Sequence, residues 1–512
     1  MASDAGTGIV PILPMGFCPN VTTAILISGL LYVCFLYLTN NHNYWKIRGV
    51  PYEEPIFLAG SLLDVFKGKR QIGKHFGDLY KKFDGPYFGI FIVGQPYLVI
   101  RDPEIIKDIT VKHFNNFDNR TFACDKEADD MTGNSLFVLR NPDWRNLRNK
   151  LSCVFTSGKL KGMFPLMRDT AEELQKYLDR HEGQILEFKE VSGKYMTDLV
   201  ASCFFGFQAE SFVHGKESEF RKICKKMFDI DLYHAMCLFS YFFAPKLVSF
   251  FKLKMFDTNY LKQVFLETVT EREKSGMKRN DFVDLLFDAR DMLMDKNSST
   301  KIDVVCMVSQ AITFLLAGFE TTSNALAFTL YELCLRPDIQ DKLREEICRY
   351  FPADDVEITF EKVQQMKYLD MVLAETLRRY PFGPFLNREC KQDYVIEETG
   401  LKIEKGTPIL IPIDGIHFDE KYYPESDKFD PQRFRDGTKS LSNSCVYLPF
   451  GNGPRNCIGA RFGLVCAKIG LVHILRQFEV QQCSSTPVPI VLNPKSPFMT
   501  PVNGLPMLVK RL

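Results

Sequence analysis

Several absences narrow what this 512-residue chain can be. It has no Gly/Ser-rich linker, no block of like charge and no internal repeat, which excludes a repeat array and favours one large domain. With 64 basic and 63 acidic residues, the net charge is only +1, so no overall field favours binding to nucleic acid. The 15 cysteines are odd in number and irregularly spaced, which argues against a disulfide framework and favours a reducing compartment.

The amino-terminal region also lacks charge. There is no Asp, Glu, Lys or Arg between Asp4 and Lys46, and Val21 to Thr39 is a mainly apolar run long enough to cross a bilayer as one helix. A cleavable signal would need a basic start and a shorter apolar core. Lys46 and Arg48 flank the far end, which predicts that the rest of the chain lies on the cytoplasmic side.

We therefore predict a membrane anchor over 1–44, with its transmembrane helix at about 21–39. A stiff, proline-rich connector follows over 45–55, and the main domain covers 56–512. The alternative for the apolar run is a buried core helix.

The most informative segment surrounds one cysteine, in the run Phe450-Gly-Asn-Gly-Pro-Arg-Asn-Cys457-Ile-Gly459. Its glycines allow a sharp turn that can direct amide N–H groups at the sulfur, and Arg455 adds a permanent positive charge. The next residues, Ala460 to Gln477, predict an apolar helix whose N-terminus also favours a thiolate. The sequence therefore predicts a metal-binding cysteine here, the alternative being a small buried core residue.

This segment resembles the haem-binding loop of the cytochromes P450, whose pattern F-x-x-G-x-R-x-C-x-G is matched at Phe450, Gly453, Arg455, Cys457 and Gly459. The resemblance implies that Cys457 is the axial iron ligand of haem b. It also implies the P450 fold, which is mainly α with small β-sheets and forms a triangular helical prism with a long central helix over the haem. On this basis 56–512 is expected to be a haem-thiolate monooxygenase domain.

A long helix is predicted from after Thr300 to Arg336, before Pro337. Its middle resembles the family's A-G-x-x-T helix, which implies that Ala317 and Gly318 leave room for dioxygen. Thr321 would then hydrogen-bond the dioxygen, and Glu320 would help to relay protons. The alternative is that Thr321 bonds only the carbonyl one turn back, with Glu320 solvated at a kink.

A second motif has a scaffold role. Glu375 and Arg378 are three residues apart on one helical face, before Pro381, and resemble the family's E-x-x-R. Arg433 lies in a segment that resembles the one completing this buried network, although the neighbouring Gln432 replaces an acid that many relatives carry. The alternative is a solvated surface ion pair.

Further cations are implied for the haem propionates. Trp144 and Arg148 resemble the family's W-x-x-x-R helix, and Arg388 and Arg455 match two other positions that reach these carboxylates. A surface Trp/Arg pair is the alternative for the first two residues.

The substrate pocket is expected to be apolar, and no lysine or arginine is evident in it, so a neutral lipophilic substrate follows. Its wall is inferred by alignment as Phe137, Leu316, Ala317, Phe382, Phe385 and Phe498. The aromatic segment Met236 to Phe243, with Phe250 and Phe251, is expected to be a second membrane contact or an ordinary helix interface.

The segments Phe385 to Cys390 and Leu448 to Phe450 most resemble the insect microsomal branch of the family. This implies an endoplasmic-reticulum protein on the cytoplasmic face that metabolises plant toxins and insecticides. No dinucleotide fingerprint is present, so NADPH is expected to act through NADPH–cytochrome P450 reductase, with cytochrome b5 as a further candidate partner.

A basic docking face for the reductase, or else a scatter of solvated charges, is expected at Arg140, Arg145, Lys150, Arg455, Arg461 and Lys468.

Three alternative functions remain open at this point. They are a hormone or fatty-acid hydroxylase, a fatty-hydroperoxide rearranging enzyme that needs no external electrons, and a non-catalytic haem sensor or lipophile-binding protein.

Overall fold

The computed structural model describes residues 21–213, 217–229, 231–292, 304–353 and 356–512. Helices dominate this part of the chain and surround small sheets. The α-helices are α1 Val21–Thr39, α2 Tyr44–Ile47, α3 Leu63–Phe66, α4 Ile72–Lys82, α5 Pro103–Lys107, α6 Asp130–Gly133, α7 Asp143–Ser152, α8 Ser157–Arg180, α9 Phe188–Val200, α10 Glu219–Lys226, α11 Leu232–Phe243, α12 Pro245–Phe251, α13 Asn259–Ser275, α14 Phe282–Met292, α15 Val304–Cys334, α16 Pro337–Tyr350, α17 Phe360–Gln365, α18 Lys367–Arg379, α19 Ile413–His417, α20 Lys439–Asn443 and α21 Ala460–Gln477. Short π-helical turns cover Asp108–Lys112 and Ala201–Phe205, and 3₁₀ turns cover Phe114–Asn116, Cys153–Phe155 and Pro431–Phe434.

The strands form one four-stranded sheet and two smaller ones. They are β1 Tyr87–Ile92, β2 Gln95–Ile100, β3 Ile185–Glu187, β4 Phe385–Glu389, β5 Tyr394–Val395, β6 Lys402–Ile403, β7 Pro408–Pro412, β8 Phe478–Gln481 and β9 Pro506–Arg511. The large sheet has the order β1-β2-β7-β4, in which only the β2–β7 pair is parallel. The others are the antiparallel sheet β3-β9-β8 and the hairpin β5-β6.

Helix α15 runs through the centre of the molecule. It has 31 residues, so it spans roughly 47 Å at 1.5 Å per residue. It packs against α6, α9, α18 and α21 and contributes to the largest hydrophobic cluster of the core. Because it is apolar on nearly every side, burial between other helices is the environment that stabilises it.

The N-terminal helix α1 has the bounds expected from the sequence, and its exposed side chains include Ile25, Leu26 and Tyr32. Helix α15 is long and apolar enough to cross a membrane, but 56% of its most apolar stretch is buried inside the protein. Helix α15 is therefore a core helix, and the membrane role of α1 stays a prediction.

The structure differs from the sequence expectations at three places. The predicted start of the long helix, 301–303, lies outside the described residues, and its end is Cys334 rather than Arg336. The sequence predicts short β-runs near Tyr87 to Arg101, near Asp393 to Ile403 and in the C-terminal tail, but not strands β3, β4 and β7, each of which has five residues or fewer. Within the segment 45–55, Trp45 and Val50 are buried in a core cluster with residues of the large sheet, a contact that the sequence does not predict.

Candidate active site

The cysteine loop is held in a sharp turn directly before α21. Gly451 and Gly453 have φ angles of +71° and +68°, in the left-handed region that favours glycine. A Cβ on Gly453 would lie 1.9 Å from the carbonyl oxygen of Thr110, so any side chain there would collide with the neighbouring π-turn. The Cys457 amide donates to the Phe450 carbonyl at 2.8 Å and closes the loop. These contacts aim the Cys457 side chain inward.

The Cys457 side chain lies deep in the protein, but much of its surface is left uncovered because it faces a large internal cavity. The cavity volume is about 1220 Å³, and Phe450, Gly459 and Phe462 line it on the same side as Cys457. Burial raises the pKa of the Cys457 thiol, while the Gly459 amide and the charges of Arg148 and Arg120 act in the opposite direction. A metal ion at this position would complete the conversion to a thiolate.

Helix α15 contributes another part of the cavity wall, through Leu316, Ala317, Gly318 and Thr321. A Cβ on Gly318 would meet only Val200, at 3.8 Å, so no protein contact requires glycine there. The absence of a side chain therefore serves to leave space in the cavity. The Thr321 hydroxyl donates to the Ala317 carbonyl at 2.6 Å, which leaves its oxygen free to accept a hydrogen bond from the cavity.

Glu320 is placed differently from Thr321. It is buried and does not line the cavity, and its carboxylate pairs with the Lys189 ammonium of α9 at 2.9 Å. Lys189 also donates to the Ser323 hydroxyl at 2.9 Å. Adjacent residues differ in direction by about 100° around a helix, so Glu320 points toward α9 while Thr321 points toward the cavity. The alternative of a solvated Glu320 at a kink is wrong, since Glu320 is buried within a continuous helix.

A cluster of buried guanidinium groups borders the cavity near Cys457. The Arg388 Nη1 donates to the Asn387 carbonyl at 2.8 Å, and its buried Nε has no partner in the described part of the chain. Arg455 donates to the carbonyls of Asp118 and Leu139 at 2.9 and 2.8 Å, and its Nη1 is likewise unpaired among these residues. The Arg455 guanidinium also packs 4.0 Å from the centre of the Trp144 ring.

The sequence motifs missed one member of this cluster, Arg120. It donates to the Phe137 carbonyl at 2.8 Å and lies beside Arg388 and Arg148. Burial and these neighbouring cations lower its pKa to about 9. Burial lowers the pKa of Arg388 to about 10, and burial with the neighbouring cations Arg120 and Arg388 lowers that of Arg455 to about 8.

Four arginines thus converge where few anions balance them. The Asp118 carboxylate near Arg455 already binds Asn141 at 2.6 Å and Lys391 at 3.3 Å. A ligand with anionic groups would remove both the mutual repulsion and the unpaired donors. The site therefore fits a haem, whose two propionates need such donors, above a cysteine that can bind its iron.

Glu375 and Arg378 are fully buried behind the cysteine loop. Arg378 donates to Glu375 through Nε at 2.7 Å and Nη2 at 2.9 Å, and the Arg433 Nε lies 3.5 Å from the same carboxylate. The surface ion pair offered as the alternative is therefore wrong, because neither Glu375 nor Arg378 is exposed.

His417 links this network to the cysteine loop and was not identified from the sequence. The Leu448 amide donates to its Nε2 at 2.8 Å, so the Nδ1 must carry the proton and donate to the Arg378 carbonyl at 3.0 Å. Burial lowers its pKa to about 3, which keeps the ring neutral. A neutral histidine therefore connects α18 to the residues that lead into the loop.

The expected pocket residues come together in the cavity wall: Phe137, Leu316, Ala317, Phe382, Phe385 and Phe498 all line it. The rings of Phe382 and Phe498 stack with centroids 4.3 Å apart. The expectation that no cationic residue lines the pocket is wrong. Arg120 lies in the wall, and the exposed Lys67 and Lys495 lie at its rim.

The basic docking face does not form as expected. Arg455 and Lys468 are buried, and Lys468 pairs with Asp370 at 2.7 Å. Arg140 pairs with Glu389 at 2.6 Å. Arg145 and Arg461 are exposed. Buried or paired cations contribute little to a surface field, so the charge available for docking is smaller than the sequence suggested.

An inward cysteine, an apolar cavity and converging guanidinium groups define a haem-thiolate protein. A family model described as "Cytochrome P450" matches residues 50–508, and the chain belongs to that family. Cytochrome P450 6k1 of Blattella germanica is 38% identical over 510 residues, covering 96% of this chain and 97% of the relative. Probable cytochrome P450 6g2 of Drosophila melanogaster is 36% identical, covering 92% and 95%. The protein is a haem-thiolate monooxygenase that uses haem b, and its family draws electrons from NADPH through a reductase.

Proposed function

We propose that this monooxygenase is anchored in the endoplasmic-reticulum membrane, faces the cytoplasm and oxidises lipophilic compounds such as plant toxins and insecticides. The observation that carries the proposal is the large aromatic and aliphatic cavity between Cys457 and Thr321. NADPH–cytochrome P450 reductase would be its electron donor, with cytochrome b5 as a further partner. The relatives from insects support the assignment to a xenobiotic-metabolising branch.

In this proposal Cys457 ligates the haem iron, and Phe450 and Gly453 shape the loop that presents it. Trp144, Arg148, Arg388, Arg455 and Arg120 would hold the propionates, while Ala317 and Gly318 would leave room for dioxygen in the cavity. When bound, the haem supplies activation of dioxygen for insertion of one oxygen atom into the substrate. The apolar wall would exclude bulk water, so the protons that the reaction consumes would have to be delivered by specific side chains.

Thr321 would position a proton donor at the cavity wall, because its hydroxyl oxygen can accept a hydrogen bond from a cavity group while it donates to Ala317. Glu320 would supply protons from the other side of α15. Its carboxylate lies at the Lys189 ammonium, and the Lys189 side chain is partly exposed, so this pair gives a route for protons from solvent.

Replacing Thr321 by alanine should uncouple NADPH consumption from product formation, with oxygen diverted to hydrogen peroxide, because the hydroxyl that positions a proton donor in the cavity is removed. The measurement is the ratio of product and peroxide to NADPH consumed. Thr329→Ala is the matched control. The Thr329 hydroxyl also donates at 2.6 Å to a carbonyl one turn earlier on α15, that of Ala325, but Thr329 does not line the cavity. Unchanged coupling in Thr321→Ala would assign Thr321 only its helix-bonding role.

The membrane orientation is proposed from exposed apolar residues near the cavity opening. Val65, Phe66, Leu232 and Met236 line the cavity on this side, and all but Val65 are exposed hydrophobics. The nearby α12 adds Phe250, of which 79% is exposed. Apolar side chains at such exposure favour a lipid surface, so lipophilic substrates would enter from the bilayer.

A fatty-acid hydroxylase is the second candidate, because Lys67 and Lys495 at the cavity rim could bind a carboxylate while the tail occupies the apolar interior. A panel of plant toxins, insecticides, hormones and fatty acids, screened for the haem spin shift on binding, separates the substrate classes. Fatty acids as the only binders would favour the second candidate.

Product formation should require NADPH, reductase and dioxygen together. Turnover without NADPH would indicate a rearranging enzyme instead. Binding without any turnover or coupled NADPH oxidation would indicate a sensor or lipophile-binding protein.

A further inference from the structure

The segment that joins α1 to the main domain is packed as firmly as a core element. Trp45 is 2% exposed, and its indole Nε1 donates to the Ile90 carbonyl of β1 at 3.2 Å. The ring lies directly against Gly89, where an added Cβ would come within 2.3 Å of it. Trp45 is therefore a wedge that fits only because residue 89 has no side chain.

The same hairpin also contacts the last turn of α1. An added Cβ on Gly94, in the turn between β1 and β2, would lie 2.5 Å from the Leu38 carbonyl. The Asn41 side chain donates to the Gly94 carbonyl at 3.2 Å. Helix α1 thus meets the large sheet backbone to backbone, without a flexible linker between them.

A third set of contacts ties α2 to the other side of the sheet region. The Tyr44 hydroxyl and the Arg48 guanidinium donate to the two carboxylate oxygens of Glu404 at 3.0 and 2.7 Å. The Arg48 guanidinium packs 3.6 Å from the centre of the Tyr44 ring. After α2, the chain continues along β1, with the Gly89 amide donating to the Pro51 carbonyl at 2.7 Å.

Exposed aromatic residues pack against α1 and against the cavity rim. The rings of Phe35 in α1 and Phe57 are 5.3 Å apart, and Phe66 contacts Phe239 of α11 at 5.2 Å. Phe57 and Phe66 are both about half exposed, at 45% and 48%. Exposed apolar side chains therefore occur both beside α1, at Phe57, and at the rim of the cavity, at Phe66.

From these contacts we infer that residues 38–53 form a rigid joint, which we call the anchor joint, that sets the angle between α1 and the main domain. The occupant of these exposed apolar residues is the lipid bilayer, because Phe57 among them packs directly on α1, a helix long enough to span a bilayer. The joint holds the cavity rim against the lipid. This inference rests on the membrane anchorage proposed above and adds the residues that fix the orientation.

The test uses the full chain in phosphatidylcholine vesicles, with Phe250→Trp as a reporter and brominated phosphatidylcholine as the quencher. The two native tryptophans, Trp45 and Trp144, are both buried, so each variant is compared with and without the reporter. We expect strong quenching of the reporter in the parent. Trp45→Ala removes the wedge and Gly89→Ala adds a colliding Cβ, and each should lose most of that quenching while still floating with the vesicles.

Gly158→Ala is the matched control, since a Cβ there meets nothing within 4 Å, and it should retain the quenching. Retained quenching in both joint variants, with normal circular dichroism and haem content, would overturn the joint. If both variants misfold, Glu404→Gln provides the test. Glu404 lies on the partly exposed side of the joint, so its replacement should not prevent folding. This variant should lose part of the quenching, and no change would contradict the proposal.

The parent protein separates this inference from the anchorage on which it rests. A parent that floats with vesicles but shows no reporter quenching would contradict the joint and leave the anchor intact. A parent that does not float would contradict the anchorage itself.

Discussion

Cys457→Ala should reduce product formation to background in the presence of reductase, NADPH and a bound substrate. Cys457 is the only cysteine in the described wall of the cavity. The other sulfur atoms in that wall belong to the thioethers of Met131, Met227, Met236, Met255 and Met499, which carry no charge. A haem held there without a thiolate would lack the electron donation that favours cleavage of the O–O bond. Product, haem content and circular dichroism are measured together.

Cys348→Ala is the control for loss of a cysteine as such, because Cys348 is exposed on α16 and distant from the cavity wall. It should retain full activity. Normal product formation by a folded Cys457→Ala variant would remove Cys457 from the proposed mechanism.

Glu375→Gln should destabilise the protein strongly, by about 3–5 kcal/mol, because it leaves the fully buried Arg378 without a compensating charge. Arg433 would lose its carboxylate contact as well. The amide keeps the shape of the side chain, so the effect reports the charge rather than a cavity. The midpoint of urea unfolding, followed by circular dichroism, gives the change in free energy.

Glu173→Gln is a closely matched control. Glu173 pairs with Lys176 at 2.8 Å with the same spacing of three residues, but both side chains are at least half exposed. Exposed pairs of this kind contribute less than about 1 kcal/mol, so the unfolding midpoint should barely move. Equal effects at Glu375 and Glu173 would contradict a structural role for the buried network.

The elements that were predictable from sequence are those with strong local signals. Helix α21 has the expected bounds, Ala460–Gln477, because it follows a glycine turn and is apolar along its length. The cysteine loop was predictable as a metal-binding turn because its glycines and arginine lie within a few residues of Cys457. In the structure, Gly453 is explained by its approach to Thr110, which no local pattern could reveal.

The features that were missed depend on contacts between distant segments. Arg120 has no motif around it, and only the fold places it beside Arg388 and Arg148. His417 connects Arg378 to Leu448 through both ring nitrogens, a relation invisible in the sequence of α19 alone. Similarly, the pairing of Glu320 with Lys189 follows from the packing of α9 against α15.

The docking-face prediction failed for a related reason. The sequence does not show which basic residues are exposed, and in the structure Arg455 lines the cavity and Lys468 is buried where it pairs with Asp370 of α18. The number of charged residues in a sequence describes the charge of a surface only where those residues are exposed.

The most direct test of the central claim is the absorption spectrum of the carbon-monoxide adduct of the reduced, purified full-length protein. A thiolate ligand from Cys457 predicts the red-shifted band typical of haem-thiolate proteins, and Cys457→Ala should lose it. A wild-type spectrum typical of nitrogen ligation, or a thiolate band that persists in folded Cys457→Ala, would contradict the account.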